Sequence, residues 1–237
     1  PFGLERIVNF GKLDAICRFL VGVLQLVHGL VRNYGVAIIL LTIAMNIVLF
    51  PLTRAAFMSM RRMQLVQPQM AKLREKYKKD AAKLQKEMTD LYRKHKVNPM
   101  GGCLPMIFQM PVFIALYVAL SKSTDLLGAR LLWIHDLASP DHVSLPFDLP
   151  LFGNSLHVLP LLMVIFMLVQ QRISMASMPQ ADPAMAQQQK IMMTVMPVFL
   201  GFVFYPMPSS LVLYWLTNTV VTSTVQFMLK RQPLSTA

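Results

Sequence analysis

Uncharged apolar runs alternate with charged stretches along most of the chain. The longest run, residues 191–229, holds 39 residues without a formal charge, which is far too many for one membrane-spanning helix. Pro206, Pro208 and the Ser209-Ser210 pair divide it, because proline interrupts helices and clustered Pro and Ser favour turns. Residues 104–121 form a second uncharged run, whose 18 residues nearly match the hydrocarbon thickness of a bilayer. The pattern predicts an all-α, polytopic membrane protein.

Five transmembrane helices account for the apolar runs, together with a cytoplasmic helical hairpin and an interfacial N-terminal helix. The N-terminal helix is assigned to the membrane interface because its apolar core, residues 19–31, has only 13 residues and includes Gln25 and His28. The predicted segments are an interfacial amphipathic helix at 1–33, span 1 at 34–53, a basic cytoplasmic hairpin at 54–97, span 2 at 104–121, an external loop at 122–153, span 3 at 154–171, a cytoplasmic loop at 172–190, span 4 at 191–206, span 5 at 209–229 and a short cytoplasmic tail at 230–237.

The hairpin segment is strongly basic. Residues 54–96 contain 13 Lys or Arg residues against four acids, a net charge of +9. Apolar residues recur every three or four positions on both sides of Lys78-Lys79-Asp80, as expected for two antiparallel helices joined at a tip. Such a charge run is usually only a solvated helix face. A charge of +9 exceeds what solubility requires, however, and would attract anionic lipid or ribosomal RNA.

The same charge distribution predicts the orientation in the membrane. Positive residues concentrate in cytoplasmic loops, so the hairpin is expected on the cytoplasmic side. Residues 121–155 carry a net charge of −2 and are expected outside. The first residue of this chain would then lie outside and its last residue inside.

Polar side chains lie near the middle of three predicted spans. Thr42, Asn46 and Thr53 fall within about 40° of one another on a helical wheel. An isolated polar residue in a membrane helix most often makes an ordinary helix–helix contact. An unpaired amide in lipid is costly, and polar residues on three spans together predict a shared hydrated groove. Its predicted lining is Thr42, Asn46, Gln109, Thr217, Asn218 and Thr222.

Composition supports the membrane class. The chain is 55% hydrophobic and 14% charged, with a mean hydropathy of +0.50, against roughly 25% charged residues in soluble domains. Its two cysteines, Cys17 and Cys103, form neither a disulfide framework nor a metal-ligand cluster. The chain begins with Pro1 and lacks a signal-peptide pattern, so we expect its natural N-terminus to lie upstream.

Four motifs carry a family resemblance. The segment NPMGGCLPMIFQMPVF at 98–113 resembles the signature of the YidC/Oxa-type membrane protein insertases. The other motifs agree in order and spacing: FPLTRAAFMSMRRM at 50–63, LLWIHDL at 131–137, and QQQKIMMTVMP followed by PSSLVLYW at 187–215. The resemblance covers residues 30 to 231.

The resemblance implies an insertase of the bacterial inner membrane that acts as a passive chaperone, not as an enzyme. Spans 2 and 5 would form the slide for an incoming helix, and the basic hairpin would recruit nascent chains. Nascent membrane proteins, anionic lipids, the Sec translocon and ribosome or signal-recognition components are the expected partners, and DNA is not. No cofactor is expected, since none of the phosphate-cradling loops is present. The expected slide and rim residues are Phe108, Phe113, Leu213 and Trp215, and the expected recruitment residues are Arg61, Arg62, Lys72, Arg74, Lys76, Lys78, Lys79, Lys83 and Lys86.

One position departs from the family pattern. Aligning the motif at 50–53 puts the family's groove arginine at Asn46, where this chain supplies a dipole instead of a charge. Arg54 lies eight residues further on, turned by about 80° on the helix, and is an imperfect replacement.

Two other functions compete with insertion. A small-solute transporter or channel predicts charged residues at mid-membrane or inverted repeats, and the sequence has neither. An intramembrane hydrolase needs a nucleophile with a base in reach. Here His135 and Asp136 fall in the predicted outer loop, and Cys103 has no histidine in its run.

Overall fold

The computed structural model describes residues 14–78, 80–95, 97, 104–149, 153–175 and 183–231. The fold of this part of the chain is helical, in agreement with the predicted class. Its elements are α1 (Asp14–Val31), α2 (Tyr34–Lys76), α3 (Ala81–Lys94), α4 (Leu104–Lys122), β1 (Val143–Leu149), β2 (Gly153–Leu156), α5 (Val158–Met175), α6 (Pro183–Phe204) and α7 (Ser209–Arg231), with a single 3-10 turn at Thr124–Leu126.

Length and composition set one helix apart within the described residues. Helix α2 is both long enough and apolar enough to cross a membrane. Shorter apolar helical stretches occur at Ala15–Val31, Gln109–Ser121, Val158–Ser174 and Met193–Phe204.

Helix α2 continues where the sequence suggested a boundary between span 1 and the hairpin. It runs unbroken for 43 residues and contains Pro51 and Pro68. A proline removes one backbone hydrogen bond and commonly bends a helix without ending it. Beside Pro51, the Thr53 hydroxyl donates to the Leu49 carbonyl at 3.1 Å. Asn46 and the first arm of the basic hairpin therefore lie on one continuous element.

The second half of α2 pairs with α3 through a narrow apolar seam. Val66, Met70 and Val97 are buried between them, and Met63, Met88, Leu91 and Tyr92 pack against this core. Asp80 begins α3 by accepting a hydrogen bond from the Lys83 backbone N–H at 3.0 Å, as an N-cap residue does. Helix α2 ends at Lys76 and α3 begins at Ala81, on either side of the tip that the sequence predicted.

The main apolar core joins α1, α2, α4, α5 and α7 to the segment that follows α4. Its most deeply buried side chains include Ile38, Leu116, Leu137, Leu159 and Tyr214. Gly35 lets α2 approach this segment closely, because a Cβ there would come within 2.6 Å of Leu131. The N-terminal helix is held to α4, where the buried Cys17 thiol donates to the Ala115 carbonyl at 3.4 Å.

A short segment, residues 136–141, holds the amino ends of α5 and α7 together. Asp141 is 2% exposed, and its Oδ2 accepts from the Trp133 indole N–H at 3.2 Å and from the Leu159 N–H at 2.9 Å. The Ser139 carbonyl accepts from the Ser209 N–H at 2.9 Å, and the Leu137 carbonyl from the Ser210 N–H at 3.0 Å. These contacts satisfy amide groups that the first turn of a helix leaves unpaired.

Asp136 shapes the same segment from within. Partial burial acts to raise the pKa of its carboxyl, but hydrogen bonds from the Ala138 and Gly128 N–H groups and from Ser139 outweigh that effect and lower the pKa below its ordinary value. The carboxylate thus stays ionised and fixes the turn that presents Leu137 and Ser139 to α7.

The segment between α4 and α5 contains a small two-stranded antiparallel sheet, which the sequence analysis did not predict. Val143 pairs with Leu156 and Leu149 with Gly153, with an irregular register between Ser144 and Leu149. Proline in this stretch, such as Pro146, favours loop over strand, and the alternation was too short to predict pairing.

Candidate functional site

Four polar side chains follow one another along α7 at intervals of four residues. They are Tyr214, Asn218, Thr222 and Gln226. Side chains four positions apart lie one above the other on a helix, so the row faces a limited sector of its surroundings. We call this row the α7 polar ladder. From Tyr214 to Gln226 it contacts α4, α2 and α5 in turn.

Asn46 of α2 bonds to the two middle residues of the ladder, Asn218 and Thr222. Its amide Nδ2 donates to Asn218 Oδ1 at 2.9 Å and to the Thr42 carbonyl at 2.9 Å. Its Oδ1 accepts from the Thr222 hydroxyl at 3.4 Å. Both amide hydrogens and the oxygen of Asn46 are therefore engaged, and α2 is tied to α7 at two successive turns. Asn46, Asn218 and Thr222 are each half-buried.

The two ends of the ladder meet other helices. Gln109 of α4 donates from its side-chain amide to the Tyr214 hydroxyl. At the opposite end, Ser174 of α5 donates to Gln226 Oε1 at 3.0 Å. Along α7, the Gln109 contact at Tyr214 lies one helical turn from the Asn46 contact at Asn218. The structure thus gathers four of the six predicted groove residues, Asn46, Gln109, Asn218 and Thr222, into one half-buried polar strip.

Two predicted groove residues do not join this strip. Thr42 and Thr217 are buried, and their hydroxyls donate to carbonyls of their own helices, Ile38 at 2.7 Å and Leu213 at 2.8 Å. A threonine that bonds to the preceding turn has no donor left for a groove. Thr42 contributes through its carbonyl, which accepts from Asn46.

Two of the four predicted rim residues, Phe113 and Trp215, meet in an aromatic cluster with Phe204. The Phe113 ring meets the Trp215 ring edge-on, with centroids 5.1 Å apart, and Phe204 of α6 lies 5.1 Å from the same indole. Such tilted contacts favour aromatic packing. Leu213 is buried in the main core instead of lining the rim. The Phe108 side chain falls outside the described part of the structure.

Helix α4 leaves an apolar stripe uncovered next to this cluster. Ile107, Met110, Ile114 and Tyr117 are exposed and recur at intervals of three or four residues, so they share one helix face. The same helix therefore carries a polar contact at Gln109 and an open apolar face.

Five of the nine predicted hairpin cations are exposed: Lys72, Lys76, Lys78, Lys83 and Lys86. Arg62 and Arg74 are half-buried. Arg61 is half-buried and donates from Nη1 to the Leu229 carbonyl at 2.8 Å. Its assignment to the recruitment surface is therefore corrected to a contact with α7. The Lys79 side chain lies outside the described residues.

Sequence reasoning missed Tyr214, Ser174, Phe204 and the partner of Arg61. Tyr214 had a usable signal, since it stands four residues before Asn218 in the same ladder. The other three act across long sequence separations, for which spacing along one helix gives no indication. Arg54 is exposed, and Asn46 makes the ladder contacts without it.

The chemistry available here is polar and uncharged. The strip offers amide and hydroxyl groups within otherwise apolar helices, and such groups can pair with other polar groups or with water. Among the described residues, no group of three or more His, Cys, Asp or Glu side chains is placed to hold a metal ion.

Comparison with known proteins places the chain among membrane proteins. The family described as "60Kd inner membrane protein" matches residues 26–235. "Membrane protein insertase YidC" of Syntrophobacter fumaroxidans is 44% identical over 229 residues, which are 96% of this chain and 40% of that protein. The protein of the same name from Geobacter sulfurreducens is 43% identical over 235 residues, or 99% of this chain and 40% of that protein. The chain thus spans about 40% of the length of these curated relatives.

A solved structure agrees with the sequence comparison. It is described as "Active YidC insertase crystal structure with the first transmembrane domain resolved". It matches with a TM-score of 0.64 and 28% identity, over 92% of this chain and 47% of that chain.

Proposed function

Since the chain belongs to the 60Kd inner membrane protein family, which is the YidC/Oxa insertase family, we propose that it is the insertase core of its protein. It binds hydrophobic segments of nascent membrane proteins, assists the passage of their hydrophilic flanks, and releases them into the bilayer.

The half-buried polar strip is the observation that carries this proposal. Moving a charged side chain through the hydrocarbon core is the expensive step, at about 2.5–3.5 kcal/mol per central charge on insertion scales. Amides and hydroxyls such as those of Asn46, Gln109 and Asn218 keep water and polar partners at that depth, which offsets part of the penalty. The apolar stripe of α4 and the ring contact between Phe113 and Trp215 support a slide on α4 and α7.

Release requires no chemical step. An apolar segment is already more stable in lipid than in a hydrated groove, so it leaves sideways once its flank has crossed. The protein lowers a barrier without a covalent reaction, a nucleotide or a cofactor.

We propose five membrane spans: the first half of α2, then α4, α5, α6 and α7. Helix α1 lies in the interface, since Phe19, Leu26 and Leu30 are exposed on one side while Leu20 and Leu24 are buried. Nascent chains, anionic lipids, the Sec translocon and ribosome or signal-recognition components are the proposed partners of the whole protein.

Labelling of single cysteines tests the proposed orientation. With Cys17 and Cys103 replaced by alanine, a membrane-impermeant thiol reagent added outside should modify a cysteine at His142 but not one at Lys78. Both native residues are exposed, so burial does not bias the comparison. The expectation follows from the charges of +9 and −2 on the two loops. Labelling of Lys78 in place of His142 contradicts the orientation.

Crosslinking to a nascent chain tests the function itself. A photoreactive amino acid at Gln109 or Asn218 should crosslink to a stalled, ribosome-bound membrane protein whose first span has emerged. The matched control is Ile165 on α5, which is 55% exposed but distant in sequence from the ladder. Adducts at Gln109 and Asn218 exceeding those at Ile165 are expected. Equal yields at all three positions, or adducts only at Ile165, argue against a groove at the polar strip.

A further inference from the structure

The carboxyl end of α7 is capped by a residue from another helix. The last four carbonyls of a helix have no partner within it, and the dipole makes that end negative. The Leu229 carbonyl lies in the last turn of α7, and Leu229 is 2% exposed. Arg61 of α2 supplies the missing donor at 2.8 Å, from 168 positions away in sequence. This is a charge-assisted hydrogen bond, one of the stronger kinds in proteins.

The donor to the Leu229 carbonyl is Arg61 of α2 and not a basic residue of α7 itself, among the residues that the structure describes. Lys230 and Arg231 are exposed, and the Arg231 guanidinium stacks 4.5 Å from the centre of the Phe227 ring. Arg62, the neighbour of Arg61, makes no hydrogen bond or ion pair to any residue that the structure describes. The contact is therefore particular to Arg61 and does not follow from the overall charge of the hairpin.

Arg61 sits at the base of the hairpin. The apolar seam between α2 and α3 starts with Met63, two residues further along. Toward the other end of α2, Asn46 lies 15 residues away, or about 22 Å along the helix axis. Helix α2 is continuous between them, so it touches α7 at a mid-helix point, Asn46, and at an end point, Arg61.

We infer that Arg61 is a positioning residue that couples the hairpin to the polar strip. A displacement of the hairpin shifts the second half of α2, and the Arg61–Leu229 contact carries that shift to α7, which holds Asn218 and Thr222. Without Arg61, the carboxyl end of α7 loses its direct tie to the hairpin, and only the contacts nearer Asn46 still join α2 to α7. The role of this coupling in insertion rests on the proposed function. The coupling itself is a property of α2 and α7 and can be tested without it.

Ser223 provides a local reporter of α7 packing. It is 6% exposed, lies between Asn218 and Leu229, and donates to the Thr219 carbonyl at 2.6 Å. Cysteine is nearly isosteric with serine, and a buried thiol reacts only when its helix loosens. In the full-length membrane-embedded protein lacking the native cysteines, Arg61→Ala should raise the rate of Ser223→Cys modification by roughly tenfold. Arg61→Lys should give a smaller rise, and Arg62→Ala, the matched control, should give none.

A double-mutant comparison separates coupling from general support of the fold. Met70→Ala loosens the hairpin seam, since Met70 is buried there. It should accelerate Ser223→Cys modification when Arg61 is present and have no further effect when Arg61 is alanine. Additive effects of the two substitutions overturn the coupling.

A second thiol, that of Cys17, distinguishes a local change in α7 from general unfolding. Native Cys17 is 0% exposed and packs between α1 and α4, so its reactivity, measured with Cys103 replaced, should be unchanged by Arg61→Ala. An equal rise at both thiols, or no rise at Ser223→Cys, overturns the inference. None of these measurements uses a nascent chain, so their outcome is independent of the test of insertion.

Discussion

Replacing Asn46 by leucine should reduce the insertion of substrates with charged flanks by about tenfold or more. The change removes three hydrogen bonds of the polar strip and leaves Asn218 Oδ1 without its donor from α2. Each such loss in a half-buried site costs about 1–3 kcal/mol, and ~1.4 kcal/mol corresponds to a factor of ten. Asn46→Gln keeps the amide and should impair insertion less.

Asn46→Arg should be tolerated and should favour substrates with acidic outer segments. A guanidinium at this position still donates to Asn218 Oδ1 and attracts a carboxylate more strongly than an amide does. The Thr222 hydroxyl loses its acceptor on Asn46. It has an alternative in the carbonyl one turn back, as Thr219 bonds to the Trp215 carbonyl.

The measurement is an insertion assay with matched neutral and acidic flanks, normalised for expression. Thr53→Val serves as the control on the same helix, because the Thr53 hydroxyl bonds to the Leu49 carbonyl of its own helix and to no other residue that the structure describes. It should leave insertion nearly unchanged. If Asn46→Leu inserts both substrates as well as the parent, Asn46 is an ordinary packing contact between α2 and α7.

Reversing several hairpin charges together should abolish recruitment, whereas single reversals should be mild. Lys72, Lys76, Lys83 and Lys86 are exposed and spread over both arms. Each Lys or Arg near an anionic surface contributes about 1 kcal/mol, so removal of four charges lowers binding by roughly a thousandfold. Reversal to Glu should lower it further.

Binding to vesicles with anionic lipid, followed by the insertion rate, measures this effect. Binding should weaken steadily with each added reversal and with added salt, because screening acts on the same interaction. Arg61 is left intact in the series, since its side chain holds α7. A single change such as Arg74→Glu that abolishes activity at normal expression would instead indicate a specific docking contact.

Patterns within one helix could be predicted from the sequence. The seam of Met63, Val66 and Met70 against Met88 and Leu91 follows from apolar spacing, because only one face of each hairpin helix can be covered. The α7 ladder follows from four-residue spacing in the same way. Both patterns depend on the spacing of residues along a helix, which can be read directly from the sequence.

The hydrogen-bond partners of individual polar side chains could not be predicted. Asp141 falls in a predicted loop, yet its side chain is buried and bonds to Trp133 and to the start of α5. Thr42 reads as a groove donor, yet its hydroxyl turns back to Ile38. The partners are the Trp133 indole and the Leu159 N–H for Asp141, and a backbone carbonyl for Thr42. None of these partners produces a periodic pattern in the sequence.

The separation between Asn46 and Asn218 has a consequence for biosynthesis. Their side chains bond across 172 positions, and ribosomes extend a chain by about 5–20 residues per second. Asn218 on α7 is therefore made about 9 to 34 s after Asn46. During that interval Asn46 lacks its Asn218 and Thr222 partners on α7, and a polar side chain in an otherwise apolar helix is the kind of group that the proposed insertase function assists. Newly made copies of this protein are thus expected to rank among the clients of copies already in the membrane.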